Sequence, residues 1–315
     1  MVPVSLLRMW GSQLSEVPSV TGAGSPFLGS IGNDIEVSFE FFPPRTEKMQ
    51  GQLWDSIAHL APLRPRFVSV TYGADGSTRE RTHDVVVSIK ETTGLDVAAH
   101  LTCVGATRGE VDLVARRYWR GGIRHVVALR GDAPAGFGKY EPYPNGYPYA
   151  CDLVEGLKRV GDFEISVAAY PETHVEAESA ESDLDNLKRK IDAGANRAIT
   201  QLFFDTDAFR RFMDRVLAAG ITVPIVPGLL PITNFAQNVK FAGKCGASVP
   251  GWMYELFEGL DGEPATRQLV AATVTSEQIR QLTLDGIKEF HFYTLNRSDL
   301  SYAICRLLRI CPEKQ

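Results

Sequence analysis

Val37-Ser-Phe-Glu-Phe-Phe-Pro-Pro-Arg45 alternates bulky apolar with polar side chains and then stops at two prolines. Period-2 alternation puts Val37, Phe39 and Phe41 on one face of a strand and Ser38 and Glu40 on the other. The strand, at 35–41, is the first of eight short runs. The others lie at 67–72, 96–101, 123–129, 164–170, 197–203, 222–228 and 287–293. Helical segments such as 107–120 and 205–219 separate them, and the gap before the last run has room for more than one helix. Strands alternating with helices imply a parallel sheet, and eight of them imply a closed (β/α)8 TIM barrel with additional helices. An open doubly wound sheet is the rival arrangement. Residues 15–33 are rich in Gly, Ser and Pro without periodicity. The expected organisation is therefore a flexible N-terminal lead-in over 1–33 and one catalytic domain over 34–315.

Within the first strand, Glu40 is a lone carboxylate among phenylalanines. Burial disfavours a charged carboxyl, so its pKa is expected to rise until it holds a proton near neutral pH, as a general acid must. The structural alternative is a Glu paired with a neighbouring Arg. Chemistry in a barrel gathers where strands end. The residues there are Glu40, Thr71, Tyr72, His100, Arg130, Gly131, Asp132, Tyr170, Gln201 and Tyr293. Convergent polar and aromatic side chains of this kind suit a broad, flat, polar ligand. In Asp183-Leu-Asp-Asn-Leu-Lys-Arg-Lys-Ile191 the spacing of Leu184, Leu187 and Ile191 makes a buried helical stripe. Asp183, Asn186 and Lys190 form an adjacent polar stripe, with Arg189 beside it. That stripe is either a solvated face or a groove for a phosphate-bearing ligand.

Composition narrows the function classes. Of 315 residues, 44% are hydrophobic and 23% charged, as in an ordinary globular protein. The net charge of -5 comes without a basic stripe, which argues against nucleic acid. No apolar run approaches the ~20 residues of a membrane span, and the N-terminus lacks the basic and apolar regions of a signal peptide. Neither membrane insertion nor export is expected. The 5 cysteines, with no C-x-x-C pair, read as reduced thiols in a cytoplasmic protein. No G-x-G-x-x-G follows a strand, Gly136-Phe-Gly138-Lys139 lacks P-loop spacing, and there is no H-E-x-x-H. The 6 histidines show no ligand spacing, so no catalytic metal is expected. A Schiff-base barrel would want a strand lysine, and the only one is Lys288, at the wrong end.

Several motifs together resemble the methylenetetrahydrofolate reductases of the short bacterial type. They are Phe39-Glu-Phe-Phe-Pro-Pro-Arg45, Val70-Thr-Tyr-Gly-Ala74, His100-Leu-Thr-Cys103 and Ala128-Leu-Arg-Gly-Asp132, followed by Ala168-Ala-Tyr-Pro-Glu-Thr-His174, Asn186-Leu-Lys-Arg-Lys190, Ile199-Thr-Gln201, Pro227-Gly-Leu-Leu-Pro231 and His291-Phe-Tyr-Thr-Leu-Asn-Arg297. The resemblance runs from about residue 35 to residue 311. It implies a (β/α)8 barrel holding FAD, with NADH (or NADPH) as co-substrate. The implied reaction is ping-pong: the nicotinamide reduces the flavin and leaves, and 5,10-methylenetetrahydrofolate enters the same site to become 5-methyltetrahydrofolate.

The resemblance also implies roles. Glu40 would protonate N10 of the folate, and Asp132 would lie near the flavin pyrimidine and stabilise a cationic iminium. Tyr72, Ala74, His100, Arg130, Gly131, Ala150, Tyr170, His174 and Ala177 match flavin contacts. Asp183, Asn186, Arg189 and Lys190 match the helix that holds the ribityl chain and diphosphate. Thr71 and Gln201 match nicotinamide contacts. Gln201, Gln237 and Arg297 match folate contacts, and Phe241 an aromatic that stacks on either ligand. A homo-oligomer is implied as well. Two features depart from the pattern: the longer, more aromatic segment 138–149 and the N-terminal 33 residues. The chain ends near the barrel, so feedback inhibition by adenosylmethionine is not expected. The alternatives are another flavin barrel, such as a proline-dehydrogenase-like enzyme, and a non-catalytic barrel that carries folate or flavin.

Overall fold

The computed structural model describes residues 34–72, 79–133 and 140–312. The strands are β1 Glu36–Phe41, β2 Val68–Val70, β3 Val97–Thr102, β4 His125–Leu129, β5 Glu164–Ala169, β6 Arg197–Thr200, β7 Ile225–Val226, β8 Gly228–Leu229 and β9 Glu289–Tyr293. The helices are α1 Glu47–Leu60, α2 Arg79–Thr93, α3 Arg108–Arg120, α4 Ala150–Val160, α5 Ala180–Asp192, α6 Thr206–Ala218, α7 Phe235–Cys245, α8 Gly251–Phe257, α9 Pro264–Leu284 and α10 Asp299–Leu307. Every strand pairing is parallel, in the order β7-β6-β5-β4-β3-β2-β1-β9-β8. The expected barrel is present, and α7, α8 and α9 fill the long gap before its last strand.

Closure happens at Pro227. Proline has no N–H to donate, so a sheet ladder cannot run through it unbroken. The run expected as one strand at 222–228 is therefore two short ones. Ile225–Val226 pairs with β6, and Gly228–Leu229 pairs with β9. Gly228 is required at the junction: a Cβ there would lie 2.1 Å from the Thr200 carbonyl oxygen and 2.5 Å from the Tyr293 hydroxyl. Its N–H donates to Thr200 Oγ1 at 2.9 Å, and Tyr293 Oη donates to Thr200 O at 2.6 Å.

The two faces of the strands part as the alternation requires. Phe39, Phe41, Phe290 and Phe292 are at most 1% exposed, and the rings of Phe39 and Phe292 lie 5.8 Å apart. Removing one such ring costs about 3–5 kcal/mol, which fixes the strand's facing. The opposite parity points into the barrel. There β1 and β9 pair in register as Glu36 with Glu289, Ser38 with His291 and Glu40 with Tyr293. These are three polar layers, from the N-terminal to the C-terminal ends of the strands.

Helix ends follow local chemistry. Thr107 and Glu110 form a capping box that starts α3, and Asp205 accepts from the Asp207 N–H to start α6. On α5, Leu187 is buried, whereas Leu184 and Ile191 are only half-buried, so the expected apolar stripe is narrower than its spacing implied. Among the described residues no helix is long and apolar enough to cross a membrane.

Candidate active site

The upper layer of the barrel is built around Glu40. The β1 parity aims its side chain inward, where it is 9% exposed. Oε2 lies 3.4 Å from His100 Nε2 on β3 and 3.7 Å from His291 Nε2 on β9. Neither imidazole nitrogen has a hydrogen-bond partner among the described residues. The carboxyl thus faces two imidazoles and not the arginine of the structural alternative. Burial lowers the His100 pKa to about 4, against the opposing pull of Glu40. His100 is consequently a neutral imidazole at physiological pH. His291 is held by Ser38, whose Oγ lies 2.7 Å from Nδ1, and it stacks on Phe67 with centroids 5.6 Å apart. Burial first and Glu40 second push the Tyr293 phenol well above its ordinary range, so this hydroxyl stays protonated.

The loops above this layer carry the charged groups. Gly131, with φ 87°, makes the turn after β4 that presents Asp132 to solvent. Arg130 Nη2 pairs with Glu176 Oε2 at 2.6 Å. His174 packs edge-on against Tyr170, with centroids 4.6 Å apart, and its backbone N–H donates to Asp183 Oδ2 at 2.8 Å. The His174 carbonyl accepts from the Ala177 N–H at 2.9 Å, which tightens the turn that leads into α5. Lys190 reaches the β5 carbonyl of Ala168 at 2.6 Å, and burial lowers its ammonium pKa to about 8 despite Asp183. Arg189 and Asn186 are exposed and bonded to each other. Arg130, Tyr170, His174, Asp183 and Lys190 thus gather on one side of the mouth.

The other expected residues lie around that mouth. Ala150, 9% exposed, is the first residue of α4. Tyr72 is buried, and the Thr71 N–H is tied to the Phe41 carbonyl at 2.9 Å. Gln201 and Tyr170 line a cleft with Cys245 and Gly246, the C-terminal end of α7. Burial and then the Asp132 carboxylate raise the Cys245 thiol above its ordinary range. Gln237 and Phe241 are exposed one turn apart on α7, Phe241 at 45%. Arg297 is exposed on the loop after β9. That loop is pinned to β1, because Thr294 Oγ1 donates to the Glu40 carbonyl at 2.6 Å and Asn296 bonds both backbone groups of Phe42. Ala74 lies outside the described residues, as do residues 1–33 and the first part of the aromatic segment, 138–139. Among the described residues no group of three or more His, Cys, Asp or Glu side chains is placed to hold a metal ion.

Three neighbours fall outside the site residues expected from sequence: His291 and Ser38 beside Glu40, and Glu176 beside Arg130. The first two share the inward parity of Glu40 and Tyr293 in strands already delineated, so the signal was available. Glu176 carries no such signal, since its pairing depends on how the loop folds back.

The donors fit a flavin dinucleotide. A half-buried ammonium bonded to a carbonyl, with a guanidinium and exposed Arg189 nearby, is suited to phosphate oxygens. Asp183 and Asn186 suit hydroxyls, and the aromatic and neutral imidazole groups suit a flat ring.

Comparison with known proteins agrees. The profile of the family described as "Methylenetetrahydrofolate reductase" matches residues 30–309. The 5,10-methylenetetrahydrofolate reductase of Salmonella typhimurium is 56% identical over 285 residues, covering 90% of this chain and 94% of that protein. The Escherichia coli enzyme of the same description is 55% identical over the same shares. Methylenetetrahydrofolate reductase (NADH) 1 of Zea mays is 35% identical, across 88% of this chain and 49% of the maize protein. Among solved structures, an uncharacterized Clostridium thermocellum protein, described as binding two copies of 5-methyl-5,6,7,8-tetrahydrofolic acid, superposes with a TM-score of 0.58. It covers 90% of this chain and 99% of its own at 16% identity, which speaks to the fold alone. With a match through every strand of the barrel and relatives more than half identical along nearly their whole length, the chain belongs to the methylenetetrahydrofolate reductase family.

Proposed function

We propose that the protein reduces 5,10-methylenetetrahydrofolate to 5-methyltetrahydrofolate, with NADH or NADPH as electron donor and FAD between them. The observation that carries this reading is Glu40, a buried carboxyl between two imidazoles at the top of the barrel, in a chain of this family. Family membership also removes the proline-dehydrogenase-like and carrier alternatives.

In this reading Arg130, Arg189 and Lys190 hold the diphosphate, and Asp183 and Asn186 hold the ribityl and ribose hydroxyls. Tyr72, Ala74, His100, Gly131, Ala150, Tyr170, His174 and Ala177 enclose the rings. When bound, the flavin accepts hydride from the nicotinamide and passes it to the folate. Glu40, in its acid form, donates a proton to N10 of the substrate. The C–N10 bond breaks, its electron pair takes that proton, and the methylene carbon is left double-bonded to N5. Asp132 places a carboxylate beside the resulting cation and lowers its energy. Thr71 and Gln201 receive the nicotinamide, and Gln201 then serves the folate with Gln237 and Arg297. Phe241, exposed on α7, stacks on whichever ligand is present.

The test is a titration. The purified protein should be yellow, should bleach on anaerobic NADH or NADPH, and should recolour stoichiometrically on 5,10-methylenetetrahydrofolate. A colourless protein that takes up no FAD would overturn the reading, as would bleached enzyme that the folate fails to reoxidise.

A further inference from the structure

Residues 140–149, before α4, take no part in the chemistry above, yet they are firmly built. The Tyr147 hydroxyl donates to Asp112 Oδ1 at 2.7 Å. Its ring lies so close over α4 that a Cβ on Gly156 would come within 2.3 Å of that hydroxyl. The Arg108 N–H donates to the Asn145 carbonyl at 2.9 Å, and Arg108 Nε to the Gly146 carbonyl at 3.2 Å. Tyr149 N donates to Asp152 Oδ2 at 3.0 Å. On this platform the Tyr140 hydroxyl donates to the Pro148 carbonyl at 2.8 Å, and its ring tilts against Tyr149 at 6.1 Å.

What the platform holds is Arg130. The guanidinium carbon lies 4.3 Å from the centre of the Tyr140 ring. Its edges are met by Glu176 through Nη2 and by the Gly131 carbonyl through Nε, at 3.0 Å. An arginine side chain left free loses much rotamer freedom when it grips a ligand. A ring on one face and acceptors on two edges remove that freedom before the ligand arrives.

We propose that Tyr140 is a positioning residue for Arg130: its ring fixes the plane of the guanidinium and so raises the affinity of the site for the anionic, flat cofactor. The inference rests on the reading in which Arg130 contacts FAD. A cation over an aromatic face is held by the ring quadrupole. The interaction therefore responds to the electronics of the ring, whereas packing responds only to its shape.

The experiment places Phe and pentafluorophenylalanine at position 140 and measures FAD binding to the apoprotein by flavin fluorescence. Both rings lack the hydroxyl and have nearly the same shape, so loss of the Pro148 bond affects them equally. Tyr140→Phe should bind FAD close to wild type, and the pentafluoro ring about 5- to 30-fold more weakly. In an Arg130→Met background the two rings should bind FAD equally. Equal affinities in the Arg130 background would overturn the inference and leave the flavin reading standing, as would a difference that persists with Arg130→Met. Wild-type protein that takes up no FAD would overturn both.

Discussion

The two ends of the barrel are made from the same strands and treat charge in opposite ways. At the N-terminal end, Arg66 pairs with Glu36 at 2.6 Å and Glu289 at 3.2 Å. Arg197, only 3% exposed, pairs with Glu164 at 2.9 Å and stands 4.0 Å from Glu289. Each charge there faces its opposite. At the C-terminal end, Glu40 faces imidazoles, one of them neutral, and Lys190 donates to a backbone carbonyl. A charge balanced within the chain stabilises the fold, and at the mouth Arg130 is balanced in this way too, by Glu176. A polar group without a close, fully paired counter-charge is costlier to the fold and stays available to substrate and cofactor. The proposed reaction uses this difference, with structure at the lower end and chemistry at the upper.

The largest effect should come from Glu40→Gln, which keeps the shape of the side chain and removes the acid. Hydride transfer from NAD(P)H needs no general acid, so anaerobic flavin bleaching should survive within a few-fold. Reoxidation by 5,10-methylenetetrahydrofolate should slow by ~10²–10⁴-fold in stopped-flow mixing. An unchanged reoxidation rate would return Glu40 to a structural role and erase the contrast between the ends.

Arg197→Met probes the lower end. Its removal takes a charge-assisted hydrogen bond from Glu164, which is itself half-exposed, and leaves Glu289 to Arg66, so the loss should be about 1.5–3 kcal/mol. Denaturant unfolding should register that loss, while turnover per folded, flavin-loaded molecule stays unchanged. A catalytic defect without a stability defect would mean that the lower end is not merely structural.

Acid should separate the ends further. His100 titrates near pH 4 in the folded chain and near 6.5 when unfolded, so below 6.5 the unfolded state binds more protons. The stability that neutral His100 provides is complete above pH 6.5 and lost as the pH falls toward 4, by about 3 kcal/mol. His125, also lowered by burial and secondarily by Arg197, adds to the same slope. Unfolding midpoints measured between pH 7 and 4.5 should fall less steeply in His100→Gln than in wild type. Parallel curves would show that the His100 imidazole is not held neutral by the fold.

The smallest effect should be that of Gln201→Ala. A neutral hydrogen bond contributes about 0.5–1.5 kcal/mol, so each half-reaction should slow roughly 2- to 10-fold. Both should slow, and steady-state double-reciprocal lines should remain parallel. A defect confined to one half-reaction would assign Gln201 to a single ligand and argue against a shared site.

Much of this was legible without coordinates, and for a local reason. Strand parity and helical period are properties of a few consecutive residues, so the shared face of Ser38 and Glu40, the eight runs and the limits of α3 and α6 could all be read directly. The polar stripe of α5 was legible in the same way, although its apolar partner stripe proved shallower. Tertiary structure alone decided which residues meet across the barrel. Ser38 and His291 are 253 positions apart and touch because β1 and β9 pair in one register and no other. The run at 222–228 reads as one strand through Pro227, and only closure showed that its two halves serve different neighbours. The paired charges at the lower end, Glu176 on Arg130 and the Tyr140 ring beneath that guanidinium are equally non-local. Composition and period set which side chains point inward; the energy of a contact depends on distance, and distance between remote residues exists only once the barrel has closed.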